Sequence, residues 1–111
     1  MEPRMTLDAA LDSVRNSASK GYGVLLDHGT LELGFYKPEE IDPQEPHEQD
    51  EVYVVISGSG FFVQGDERQR FEAGEALFVP AGVVHRFEDF SEDFAAWVIF
   101  YGPPGGESTP A

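Results

Sequence analysis

Apolar and polar positions along the chain fall into two regimes. Over residues 6 to 17, TLDAALDSVRNS, Leu7, Ala10, Leu11 and Val14 recur at helical spacing. Thr6 is placed to act as N-cap and Asp8 lies in the first turn, so one short amphipathic helix is predicted. From Gly21 onward the pattern changes to short β-rich runs broken by Gly, Pro, Asp and Asn: YGVLLD, LELGFYK, EVYVVIS, GFFVQ, RQRFE, ALFVP, VVHRFE and FAAWVIFY. No second helical segment separates these runs, which predicts an antiparallel sandwich or small barrel rather than βαβ units. Ser57, Gly58 and Ser59 read as a tight hairpin, and residues 72 to 75 as a second turn in which Gly74 takes positive φ. SGSG is not a phosphate-binding loop, because Phe61, Phe62 and Val63 continue it as β and no helix follows to present its N-terminus. The expected organisation is an N-terminal helical segment over 1–20, a β-barrel over 21–102 and a Gly/Pro-rich flexible tail over 103–111.

Size and charge narrow the classes of function. With 111 residues the chain is one domain's worth, and nine Phe, four Tyr and one Trp supply a single core. Phe35, Tyr53, Phe62, Phe78, Phe87, Trp97 and Phe100 are the expected core aromatics. Seven Lys plus Arg against 21 Asp plus Glu give a formal net charge of −14, which repels phosphate backbones and anionic membrane surfaces. Nucleic acid and membrane are therefore not expected partners. The chain has no cysteine, so thiolate nucleophiles and thiolate metal sites are excluded and any metal must be held by nitrogen and oxygen. No basic segment precedes an apolar stretch at the N-terminus and no apolar run approaches 20 residues, which makes the cytoplasm the expected location.

Three histidines remain as candidate chemistry. His28, in LDHGT, sits where a turn residue belongs. His47 lies in EPHEQDEVYVVI, where Pro43 and Pro46 hold the backbone extended. In an extended chain Glu45, His47, Gln49, Glu51 and Tyr53 share one face, which is either a solvated polar edge or one half of a ligand set. His85 follows the reversal Pro80-Ala81-Gly82 in GEALFVPAGVVHRFED and starts a returning strand, where a side chain can point inward from a barrel mouth. Arg70 and Arg86 read as partners in surface ion pairs.

At these residues the chain resembles the cupin superfamily. In that family's second motif a glycine, a proline, a glycine and a histidine recur at the spacing of Gly74, Pro80, Gly82 and His85, and Asp89 stands where the motif ends in asparagine. His47, Glu51 and Gly58 match the second half of the first motif, whereas Glu45 stands where its first histidine is expected and Glu39 where its first glycine is. The resemblance covers residues 31 to 101. It implies an all-β, double-stranded β-helix (jelly-roll) barrel behind the short helix, often a homodimer, with a divalent metal (Fe, Mn, Zn or Ni) near the barrel centre. Carried across residue by residue, the metal ligands are His47, Glu51 and His85. Glu45 either joins them as a fourth ligand or leaves that place to Gln44, Gln49 or water.

The function this implies is that of a metal-dependent small-molecule enzyme with dioxygenase, isomerase or cyclase chemistry, since a divalent ion with open positions can chelate adjacent oxygens or polarise a carbonyl. Tyr53 is the candidate catalytic residue, its phenol orienting a substrate oxygen from the face it shares with Glu51. If Glu45 is not a ligand it becomes a candidate general base. The alternative is a non-catalytic metal- and ligand-binding sensor, because fold does not fix function. A metal-free barrel that serves only as a dimer interface is disfavoured by the intact second motif.

Overall fold

The computed structural model describes residues 3–39 and 46–108. Helix α1 spans Leu7–Arg15, and the Thr6 hydroxyl accepts the Ala9 N–H at 3.1 Å, as its position before the apolar stripe predicted. Eight strands follow: β1 Tyr22–His28, β2 Leu31–Tyr36, β3 Asp50–Ser57, β4 Ser59–Gln64, β5 Glu67–Glu72, β6 Ala76–Val79, β7 His85–Glu88 and β8 Ala95–Tyr101. They form two antiparallel sheets, a five-stranded one in the order β1-β2-β8-β3-β6 and a three-stranded one in the order β5-β4-β7. This is the expected all-β jelly roll with a short N-terminal helix.

The two sheets face each other across one aromatic core. Strand alternation sends Tyr53 and Val55 of β3, Val98 and Phe100 of β8, Phe62 of β4, Phe71 of β5 and Phe87 of β7 into the space between them. Phe87 is the hub, with ring centroids 4.6 Å from Phe94, 4.9 Å from Tyr53, 5.0 Å from Phe62 and 5.4 Å from Phe71. A second, smaller cluster lies on the outer face of the large sheet, where α1 lays Ala10 against Phe35 and Ala95, with Leu11, Val14 and Trp97 around them. Phe78 departs from the expected core: it is 51% exposed, because on edge strand β6 it alternates with buried Val79 and points to the outer face that α1 does not cover.

The turn at Ser57-Gly58-Ser59 exists but does not close a hairpin. It carries the chain from β3 in the large sheet to β4 in the small one. Gly58 has φ 81°, and a Cβ there would sit 2.6 Å from both Phe94 Cα and Ser91 Oγ, so the corner requires glycine on conformational and steric grounds. The Glu72 to Glu75 turn likewise connects the two sheets.

The segment after β8 is tied down through residue 107. Gly105 N–H donates to Glu48 O at 2.7 Å and Glu107 N–H to Asp50 Oδ2 at 2.9 Å, while Asp50 Oδ1 accepts the Ala81 N–H at 2.9 Å. One buried carboxylate thus braces the chain end and the Pro80-Ala81-Gly82 reversal. The Glu107 and then the Ala81 backbone donors hold the Asp50 carboxyl below its ordinary range. A depressed carboxylate contributes stability above its unfolded pKa and loses it as pH falls through the folded value. Asp50→Asn is therefore expected to lower Tm at neutral pH, with the difference from wild type full above about pH 5 and shrinking below about pH 4 in thermal scans across that range.

Candidate metal centre

His47 reaches the site from the turn before β3, Glu51 from the second position of β3 and His85 from the first position of β7. The two histidine-bearing segments are pinned to each other by the Gly82 N–H, which donates to His47 O at 2.7 Å. One ligand atom from each of the three residues lies within 4.8 Å of the other two. Glu51 Oε1 is 3.2 Å from His85 Nε2 and 3.9 Å from His47 Nε2. The imidazoles face each other at a centroid distance of 5.5 Å, and the His47 ring stands edge-on to Phe100 at 4.7 Å.

Burial and hydrogen bonding give this cluster its chemistry. Glu51 is 1% exposed, and among the described residues neither carboxylate oxygen has a hydrogen-bond donor. A buried carboxylate in that condition loses its hydration, and what stands against it is the pair of imidazoles. His85 Nδ1 lies 2.9 Å from Val83 O, so in the neutral ring Nδ1–H donates to that carbonyl and Nε2 carries the lone pair toward Glu51. A carboxylate oxygen and two imidazoles converging on one point suit a shared divalent cation, and the backbone carbonyl on Nδ1 is the kind of outer partner that fixes a metal-binding tautomer.

Other anticipated residues are distributed differently. Tyr53 is fully buried, and its hydroxyl lies 3.2 Å from His85 Nε2 rather than on the cavity wall. Gln49 does not share the face of His47 and Glu51: its amide donates to Thr30 O at 2.7 Å and Gly102 O at 2.9 Å, because the strand begins only at Asp50 and residues 48 and 49 form a bend. Glu45 and Gln44 lie outside the described residues. His28 ends β1 on the surface. Arg86 Nε donates to Glu88 Oε2 at 2.5 Å and Arg68 Nε to Glu88 Oε1 at 3.1 Å, and these guanidinium groups hold the Glu88 carboxyl below its ordinary range. Asp89, in the motif's asparagine place, adopts φ 48°, a left-handed conformation that Asn and Asp tolerate best among non-glycine residues.

His47 and Glu51 open onto a cavity of about 510 Å³ between the inner face of the large sheet and the segment preceding β1. Its wall includes two residues not anticipated from sequence, Tyr22 and Glu32. The Tyr22 hydroxyl donates to Glu32 Oε2 at 2.7 Å. Gly34 makes this possible, since a Cβ at that position would overlap the Tyr22 ring. Burial first, then the Glu32 hydrogen bond and the charges of Glu32, Glu51 and Asp27, push the Tyr22 phenol far above its ordinary range, so it remains a donor.

A two-sheet jelly roll with a His-Glu-His cluster, two of its members buried, opening onto a small cavity defines a jelly-roll protein with a candidate metal site. Comparison with known proteins makes the class specific. The family profile for the cupin domain matches residues 33–101. An uncharacterized Streptomyces coelicolor protein, SCO3923, is 36% identical over 95 residues, covering 84% of this chain and 90% of its own. Acireductone dioxygenase 4 of Arabidopsis thaliana is 28% identical over 105 residues, covering 87% of this chain but only 56% of the plant protein. Among solved structures, plu4264 from Photorhabdus luminescens superposes with a TM-score of 0.72 at 17% identity, covering 92% of this chain and 89% of that one. The chain belongs to the cupin family. Among the described residues no helix is long and apolar enough to cross a membrane.

Proposed function

We propose that this cupin binds a divalent metal through His47, Glu51 and His85 and acts on a small molecule that chelates the metal through adjacent oxygens, with dioxygenase chemistry the leading reaction. The observation that carries the reading is the buried Glu51 carboxylate, without a donor on either oxygen among the described residues, facing two imidazoles at the edge of an open cavity. The acireductone dioxygenase likeness supports oxygen chemistry over isomerisation or cyclisation, although the chain spans about half the length of the plant relative. A bound divalent ion would supply Lewis-acid polarisation and a template for the chelated oxygens. Around it, this chain's residues orient and exclude: Val83 O holds the His85 ring through Nδ1, the Tyr53 ring packs beside that imidazole, and Phe100 shields His47 from one side. Two histidines and one carboxylate leave positions open for substrate, and Glu45 remains a proposed fourth ligand or base.

The test is oxygen uptake by iron-loaded protein with diketone, catechol and enediol substrates. Turnover that disappears in His85→Ala is the expected result. Metal and ligand binding without turnover, whichever of iron, manganese, zinc or nickel is loaded, would favour the sensor.

The reading includes a homodimer. Leu33, Ile99, Val52 and Phe78 are cross-strand partners in one row over four adjacent strands on the outer face, and Phe78 is half exposed in a chain otherwise rich in acidic groups. Phe78→Glu is expected to shift sedimentation from dimer to monomer. An unchanged dimer would exclude this face as the interface.

A further inference from the structure

The register of the large sheet sets a second carboxylate in line with the metal cluster. Glu32 pairs with Phe100, and Phe100 pairs with Glu51, so the three residues form one row across β2, β8 and β3. All three line the same cavity. With strands spaced about 4.8 Å, the Glu32 and Glu51 backbones stand roughly 10 Å apart. Phe100 lies between them on the cavity wall. Tyr22 fixes the far end of this row through its hydrogen bond to Glu32 Oε2, and Glu32 itself lines the cavity. No role in holding the metal is required of either residue.

We propose that Glu32, held by Tyr22, is the specificity-determining residue of the cavity, and that the ligand is a small, flat molecule with chelating oxygens at one end and a hydroxyl or ammonium donor at the other. The inference rests on the metal-site reading above. A carboxylate only accepts hydrogen bonds, so the group opposite Glu32 must donate. A carboxylate or phosphate at that end would meet like charge, a repulsive element that discriminates against an anionic end. Lys20 also lines the cavity and offers an anionic end the competing attraction. Phe100, 9% exposed, suits an unsaturated middle portion lying against it.

Two probes share a chelating catechol head and differ in the far group: hydroxymethylcatechol, a donor, and protocatechuate, a carboxylate. Binding of each to zinc-loaded protein is measured calorimetrically, after zinc binding has been measured without probe. Wild type is expected to favour the hydroxymethyl probe by about tenfold or more, Glu32→Gln to bring the two within about threefold at unchanged zinc affinity, and Tyr22→Phe to give an intermediate ratio. Preference of wild type for protocatechuate would assign the far end to Lys20 and overturn the proposal. So would an unchanged ratio in Glu32→Gln, or zinc binding with neither probe bound. Failure to bind zinc at all strikes the metal-site reading instead and is seen before any probe is added.

Discussion

Glu51→Gln is expected to weaken zinc binding by more than about a hundredfold while leaving the metal-free protein as stable as wild type or more so. The two effects have one cause. Glu51 supplies the carboxylate of the candidate centre, and its two oxygens have no donor among the described residues. Exchanging a carboxylate ligand for a neutral amide oxygen acts on the ion directly and costs more than removing an outer partner, for which 10-fold to 100-fold losses are typical of metal sites. Without metal, the buried Glu51 oxygens have no hydrogen-bond donor among the described residues, so an amide of the same shape is expected to be tolerated at no loss of stability. Zinc titration with a thermal-melt readout tests both. Wild type should gain about 2.7 kcal/mol with free zinc at 100 times its Kd, and Glu51→Gln at the same zinc concentration less than about 0.4 kcal/mol. A metal-free Glu51→Gln protein markedly less stable than wild type would mean that the carboxylate has a structural partner, and the reading of Glu51 as a ligand would lose its main support.

The parts of this site legible in the sequence are those set by local geometry. His85 follows a Pro-Ala-Gly reversal, and the distance along the chain from that turn to the start of β7 is short enough that one histidine position fixes the side chain's direction. Glu51 was readable only through the family resemblance, since alternation along β3 set it on one face with Tyr53 but left open whether that face was solvated or part of a ligand set. Gln49 departs from the face expected of it because a bend precedes the strand and the two-residue period does not apply there. Tyr22 and Glu32 were invisible because nothing local joins them to the site. They meet through the pairing of β1 with β2, and they reach the cavity through the pairing of β2 with β8, some 65 residues later in the chain. The corner at Gly58 shows the same limit. Its turn chemistry is a local property, but whether the next strand folds back on the first or enters the opposite sheet depends on what Phe94 and Ser91 place beside it. Phe78 was taken for core because hydrophobicity says that a side chain is apolar without saying which face of an edge strand is covered.

Phe87→Ala is expected to be the most destabilising single truncation. Phe87 is 2% exposed and touches aromatic rings from both sheets, so its removal leaves a cavity where the two layers are joined. Deleting a buried Phe costs about 3–5 kcal/mol, a large share of the 5–15 kcal/mol typical of a domain. For a chain of this size that corresponds to a fall in Tm of roughly 12–25 °C. The effect also reaches the metal centre. Phe87 follows His85 by two positions in β7 and shares its inward face, and Tyr53 packs against Phe87 while its hydroxyl meets His85 Nε2. Loosening the Phe87 pocket should let the His85 ring and Tyr53 shift together. Phe87→Leu, which keeps most of the buried volume, separates the two consequences: its Tm loss should be a fraction of that of Phe87→Ala, and its zinc affinity should stay close to wild type. If Phe87→Leu retained stability but lost zinc binding, the aromatic contact itself, rather than the volume it fills, would be what holds His85 in place.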